Sequence, residues 1–175
     1  MKKIICLVLI AFFVLVVGNC IVENILYPEA YSDSVNKYSV KYGLDRNLVF
    51  AVIKTESNFV RDAHSGKASG LMQLTDDTAE WVCNRLCIDR KTIDLNKPDD
   101  NIRLGCFYLR YLIDKYGDID VALAAYNAGP ANVDRWLQNG QHSDDGEKLK
   151  SIPYKETREY VLKVNKQWRR YEEIY

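Results

Sequence analysis

The sequence predicts an all-α domain of about seven helices, preceded by one N-terminal membrane segment. Three observations carry this expectation. Apolar residues recur at helical spacing in segment after segment, while no convincing period-2 alternation occurs. Asp, Thr and Pro stand where helices would begin, and Gly stands where they would end. An apolar run follows two lysines at the extreme N-terminus. The expected division is residues 1–24 as a transmembrane anchor or signal, and residues 25–175 as one exported domain.

Lys2 and Lys3 precede an unbroken apolar stretch from Ile4 to Val17, and after Gly18, Asn19 and Cys20 the apolar character resumes through Ile21 and Val22. Taken to Val22 the segment has nineteen residues, close to the roughly 20 that span a bilayer core. A secretory h-region is shorter, about 7–15 residues, and ends at a small-x-small site. Val17-Gly18-Asn19 matches such a site poorly. The expectation is therefore an uncleaved single-pass anchor with the lysines on the cytoplasmic side and the domain outside. A cleaved signal, or a lipid-modified Cys20 behind a degraded lipoprotein box, remains open; all three export the domain.

Tyr31, Val35, Tyr38 and Tyr42 fall on one face of a first helix that Gly43 closes. Asp45 caps a second, with Val49, Val52 and Ile53 as its apolar stripe. Residues 60–70 read as a loop, in which Ser65-Gly66-Lys67-Ala68 lacks the spacing of a phosphate-binding loop. Thr75 caps a helix to about Leu86. Lys97-Pro98-Asp99-Asp100 starts a long one, with Ile102, Cys106, Leu109 and Ile113 as its core stripe and Gly117 as its end. Asp118 caps the next, which Gly129-Pro130 terminates; another reaches Leu137 before Asn139-Gly140. Gln141 to Ser151 is polar and lacks a periodic pattern. Pro153 opens the last helix, with Val161, Val164 and Trp168 on one face.

Composition is globular, with 47% apolar and 27% charged residues, and the 24 basic residues balance 24 acidic ones. A chain with no basic excess lacks the charge to neutralise phosphates, which sets nucleic-acid binding aside. Cys83, Cys87 and Cys106 are an odd number without His at metal-ligand spacing. Three buried thiols is the preferred reading, one disulfide plus one free thiol the alternative, and no metal site is expected.

Glu56 breaks the apolar pattern. It stands at i+4 from Val52 and i+3 from Ile53, where another apolar residue would continue the stripe. A carboxylate there is desolvated and lies at the negative end of its own helix; both favour the protonated form. A carboxylic acid held protonated near neutral pH suits general acid catalysis. Taken alone, Glu56 also fits a helix-terminal residue turned to solvent.

Glu56-Ser57-Asn58, Gly70-Leu71-Met72-Gln73, Ala124-Ala125-Tyr126-Asn127-Ala128-Gly129-Pro130 and Glu156-Thr157-Arg158-Glu159-Tyr160-Val161 occur in this order. Together they resemble the catalytic domain of soluble-type lytic transglycosylases, lysozyme-like enzymes that cut bacterial peptidoglycan. Asn101-Ile102-Arg103-Leu104-Gly105 and Tyr108-Leu109 resemble the central helix of that family. The resemblance covers about residues 31–171. It implies a lysozyme-like fold, with Glu56 as the sole catalytic acid and base. Ser57 would cap the turn behind it or meet an acetamido group. Met72 and Gln73 would line the sugar groove. Tyr126 would place its hydroxyl near Glu56, Asn127 would hold the adjacent loop or an N-acetyl group, and Glu156 and Tyr160 would close the groove from the last helix.

Individually these residues admit plainer readings. Met72, Tyr126 and Tyr160 fit core positions, Asn127 and Gly129 fit helix punctuation, and Glu156 fits an exposed first-turn acid. The resemblance further implies cleavage between N-acetylmuramic acid and N-acetylglucosamine, with the sugar's own 6-hydroxyl closing a 1,6-anhydro ring. An internal nucleophile gains from high effective molarity and needs no positioned water. Peptidoglycan glycan strands would be the partner, the membrane would be met through the N-terminal helix, no cofactor would be needed, and the protein would act as a monomer. Two rivals stand beside this. A goose-type lysozyme would hydrolyse the same bond with water and would need Asp62, Asp76 or Asp77 beside the groove as a second carboxylate. A wall-binding or assembly protein on the same fold would not cleave.

Overall fold

A computed structural model of the chain describes residues 23–175. The expected membrane segment and Cys20 lie outside the described residues, among which no helix is long and apolar enough to cross a membrane. Residues 23–26 are helical, and a separate unit begins at Tyr31.

Seven α-helices follow among the described residues: α1 Ser32–Tyr42, α2 Arg46–Glu56, α3 Asp76–Leu86, α4 Pro98–Tyr116, α5 Ile119–Ala128, α6 Pro130–Leu137 and α7 Lys155–Ile174. Capping explains most boundaries. The Asp45 carboxylate accepts the Asn47 and Leu48 N–H groups at 2.7 and 3.4 Å, Thr75 accepts the Thr78 N–H at 3.2 Å, and Asp118 accepts the Val121 N–H at 3.1 Å. The last helix starts at Lys155 rather than at Pro153, which sits ahead of its N-cap, Tyr154.

Three findings depart from the sequence reading. Helix α2 is not amphipathic in its middle: every residue from Leu48 to Ile53 is buried, the mark of a helix enclosed by its neighbours. Second, the expected loop contains a small antiparallel sheet of β1 His64–Ser65, β2 Ala68–Ser69 and β3 Leu74–Thr75, with Ala68 opposite Thr75. Gly66, at φ 60°, turns the first hairpin over a two-residue connection. Two-residue strands are too short to display an alternation, so the fold is predominantly rather than wholly helical. Third, a 3₁₀ turn over Arg90–Thr92 joins α3 to α4.

Helix α4 is the hub, packing against α1, α3 and α5. Its buried face runs through Ile102, Leu104, Gly105, Cys106, Leu109 and Leu112, while Ile113 is only partly covered. Asp99 in its first turn accepts from Tyr38 Oη at 2.7 Å and Ser34 Oγ at 3.0 Å, tying α1 to the hub. Among the described residues the cysteines are all thiols; Cys83 and Cys106 are buried, but Cys87, in the left-handed cap of α3, is exposed. It caps a helix end rather than filling core.

The buried amide of Asn101 fastens the sheet region to the hub. Its Oδ1 accepts the Met72 N–H at 2.8 Å, and its Nδ2 donates to the Ser69 and Leu95 carbonyls, each at 3.0 Å. The fit admits no side chain at Gly70 (φ 81°), where a Cβ would lie 2.1 Å from the Leu95 carbonyl oxygen. Gly105 plays the matching part on α4: a Cβ there would meet Met72 Sδ at 2.3 Å.

Candidate active site

Glu56 is the last residue of α2, so the enclosed helix delivers its carboxylate to the surface of the core. Beyond it the chain reverses through Asn58 (φ 48°) and Phe59 (φ 65°), consecutive non-glycine residues in the left-handed region. Such backbone costs on the order of 1–3 kcal/mol per residue and collects at functional sites. Ser57 secures the reversal. Its Oγ donates to the Leu71 carbonyl at 2.8 Å and lies 3.1 Å from the Ile53 carbonyl, joining the end of α2 to the segment before β3.

A cavity of about 280 Å³ opens beside Glu56. Of the residues singled out in the sequence, it brings together Glu56, Gln73, Tyr126, Asn127 and Glu156 on its wall. Ser57, Met72 and Tyr160 are not on that wall. Met72 was expected in the groove, yet its side chain is fully buried against Gly105. Its contribution is backbone: its N–H goes to Asn101, and its carbonyl accepts the Tyr126 hydroxyl at 2.8 Å. Ser57 meets backbone carbonyls, as a turn cap. Tyr160 is buried behind Glu56, and its hydroxyl makes no well-formed hydrogen bond.

The wall also contains Thr78 of α3 and Tyr108 of α4, with Ser65, Ala68, Leu74 and Thr75 from the sheet, none of which was given a site role from the sequence. Tyr108 carried a signal: it is an aromatic residue off the apolar stripe of its helix. The sheet residues carried none, because their place depends on the hairpin.

Burial dominates the electrostatics. It pushes the Glu56 carboxyl up to about 7, against the opposing pull of the Tyr160 hydroxyl and the Lys163 ammonium. Burial, reinforced by the charge of Glu56, also drives the Tyr126 and Tyr160 phenols well above their ordinary value, and burial lifts Tyr108 to about 12. All three tyrosines are neutral donors at physiological pH, and the Tyr126 proton is committed to Met72.

Gln73 adopts φ 46° and turns its amide inward. Its Nε2 donates to the Ala63 and Gly70 carbonyls at 2.9 and 2.8 Å, which fixes which end of the amide is which. That leaves Oε1, buried and without a partner, on a residue of the cavity wall. Glu56 and Glu156 are the carboxylates of this wall, and Glu156 is exposed. Asp62, Asp76 and Asp77 are not on it; Asp76 instead pairs with Arg90 at 2.8 Å.

Comparison with known proteins agrees with this architecture. Residues 33–149 match the family model described as the transglycosylase SLT domain. The chain is 35% identical over 143 residues to the soluble lytic murein transglycosylase of Salmonella typhimurium, covering 79% of this chain and 22% of that protein. It is 31% identical over 172 residues to the membrane-bound lytic murein transglycosylase C of Edwardsiella ictaluri, covering 82% and 47%. Among solved structures it superposes on an inactive Glu-to-Gln mutant of the lytic transglycosylase Slt from Pseudomonas aeruginosa with a TM-score of 0.74 and 35% identity, over 86% of this chain and 25% of that one. A 70-kDa soluble lytic transglycosylase in complex with bulgecin A gives 0.73 at 29% identity, over 84% and 25%. The chain thus spans about a fifth of the length of the soluble relatives it matches.

Proposed function

The chain belongs to the transglycosylase SLT family, and from that premise we propose that it is a peptidoglycan lytic transglycosylase in which Glu56 alone serves as acid and base. The observation that carries the reading is the Glu56 carboxyl at the end of an enclosed helix, raised to about 7 on the wall of an open cavity. Protonated Glu56 donates to the oxygen linking N-acetylmuramic acid to N-acetylglucosamine, and the C1–O bond breaks. The resulting carboxylate takes the proton of the muramyl 6-hydroxyl as that oxygen bonds to C1, closing the 1,6-anhydro ring. No water is consumed and Glu56 ends protonated. A carboxyl with pKa near ambient pH can run in both directions, which is the condition for one group to fill both roles.

Gln73 Oε1 supports a role in orientation, since a buried acceptor without a partner gains from a sugar N–H or O–H. Asn127 and Glu156 flank the same cavity and would contact the strand. Ser57, Met72 and Tyr160 act behind them, shaping the wall. The apolar run from Ile4 to Val22 supports attachment to the membrane, with the domain working as a monomer on the outer side.

Replacing Glu56 by Gln tests the catalytic assignment. The amide is nearly isosteric but cannot deliver and recover a proton, so release of soluble muropeptides should fall at least about 10²–10⁴-fold, while circular dichroism and binding to insoluble peptidoglycan are retained. Near-normal turnover would place the acid elsewhere.

A further inference from the structure

The solvent face of α7 segregates positive charge around exposed apolar surface. Between Glu159 and Glu172 the helix carries Lys163, Lys166, Arg169 and Arg170 and no acidic residue, in a chain whose 24 basic and 24 acidic residues cancel. Arg158, Leu162, Lys166 and Arg169 recur at i, i+4, i+8 and i+11, the spacing of one helix face. All four are exposed, Leu162 at 64%. Among the described residues, none of Arg158, Lys163, Lys166 and Arg169 forms a salt bridge. Arg158 donates to the Ile152 carbonyl at 3.2 Å and Arg169 to the Asn165 carbonyl at 3.4 Å, bonds that leave both charges uncompensated. The acids of the helix stand toward its ends, where Glu159 pairs with Lys155 at 3.6 Å and Glu173 with Arg170 at 2.8 Å. Leu162 also borders a notch of about 200 Å³, lined by Leu149, Ile152, Lys150 and Arg158 against the single acid Asp120. That acid already accepts from Asn165 Nδ2 at 2.6 Å.

We propose that this face of α7 docks on the headgroups of an anionic phospholipid bilayer, with Leu162 and the notch beside it entering the interface. This rests on the membrane attachment proposed above. A basic helix face with an apolar centre meets the two demands of such a surface, attraction to phosphate and burial of apolar area, without the shape-matched partner that a protein interface requires. A lone exposed leucine is ordinary on any protein surface; here it lies within an acid-free run of cations. The nine residues 23–31 between Val22 and α1 reach roughly 30 Å even when fully extended. The bilayer that holds the anchor is therefore at high effective concentration around the domain, which favours it over an acidic protein gathered from solution. Glu156, on the wall of the cavity at Glu56, belongs to the first turn of the same helix. Docking α7 would thus fix how the groove is turned relative to the membrane.

The full chain, reconstituted in vesicles of phosphatidylcholine with or without phosphatidylglycerol, can be pulsed with an amine-acylating ester and read lysine by lysine in a mass spectrometer. At low salt, Lys163 and Lys166 should be acylated about tenfold less in the anionic vesicles than in the neutral ones. High salt should restore their labelling. Lys67 in the first hairpin and Lys91 in the 3₁₀ turn, both exposed, should label alike in the two lipids. Arg158→Gln together with Arg169→Gln, which alters only exposed side chains, should remove most of the protection. Equal labelling of Lys163 and Lys166 in both lipids overturns the docking surface, while recovery of the chain with neutral vesicles leaves the membrane attachment standing. Recovery with anionic vesicles alone, with Lys163 and Lys166 protected there, supports the docking surface and overturns the apolar anchor; recovery with neither vesicle overturns both. Protection in neutral vesicles that grows with protein density assigns the face to a second copy and overturns the lipid as occupant. Soluble polyglutamate that protects the two lysines as fully as anionic vesicles do overturns it in favour of an acidic polypeptide.

Discussion

At the scale of the residue, Glu56, the proposed acid and base, yields signed expectations. Its folded pKa, about 7, exceeds the ordinary value of 4.5 because burial disfavours the charged form. The folded state therefore holds this proton more tightly than the unfolded chain. Stability associated with it is complete below pH ~4.5 and is lost as pH rises through about 7, on the order of 3 kcal/mol at roughly 1.4 per pKa unit. Glu56→Gln, which cannot ionise, should accordingly unfold at higher temperature than the parent above pH 7 and match it below pH 5; calorimetric scans at the two pH values check this. Turnover of the parent should decline with rising pH through the same region, because the acid form begins the reaction. Tyr160→Phe and Lys163→Met each remove an influence that lowers the Glu56 pKa. Both should move the alkaline limb of the rate profile to higher pH, and a limb that moves down would contradict the placement of these groups. Glu156→Gln should raise KM more than it lowers kcat, as expected for a wall residue that binds the strand. Glu56 could be read from the sequence because it interrupts a helical stripe, a local signal. The work of Met72 could not: the motif marks the residue, but its burial against Gly105 joins positions far apart in the chain.

At the scale of the element, helix boundaries were readable because caps are local. Asp45, Thr75 and Asp118 each satisfy N–H groups within three residues. The small sheet was not readable, since its strands have two residues each and the turn between β2 and β3 is fastened by Asn101 and Ser57, contacts distant in sequence. Asn101→Ala should leave the buried Met72 N–H and Leu95 carbonyl without partners. At about 1–3 kcal/mol for each orphaned group, a loss of roughly 3 kcal/mol is expected, or about 10 °C in Tm for a chain of this size. Catalysis should weaken as well, because Gln73 would lose its fixed setting. Gly105→Ala sets two effects against each other. Helix propensity favours Ala by about 1 kcal/mol, whereas overpacking a tight contact costs typically 1–3. A Cβ would contact Met72 at both Sδ and Cβ, at 2.3 and 2.9 Å, so the second effect should win and thermal unfolding should show a net loss. A more stable Gly105→Ala protein would show that Met72 repacks freely.

At the scale of the whole molecule, the fold brings the Glu56 carboxyl to a cavity whose wall several elements share. Helix α2 supplies Glu56, the turn before β3 supplies Gln73, α4 and α5 supply Tyr108, Tyr126 and Asn127, and α7 supplies Glu156. The proposed membrane attachment would keep this groove close to newly made wall, since few residues separate Val22 from α1. High salt should then leave the native protein in the membrane fraction, because apolar burial is insensitive to screening; N-terminal sequencing that finds a chain beginning between Gly18 and Ile25 would contradict it. The central claim is narrower: Glu56 works alone, and the sugar supplies its own nucleophile. Glu156 on the same wall is what a water-using enzyme could employ instead. Mass spectrometry of the fragments released from purified peptidoglycan separates the two directly. The account predicts muramyl ends one water lighter than hydrolysed ends, formed by the parent and not by Glu56→Gln. Full-mass reducing ends as the main product would contradict it.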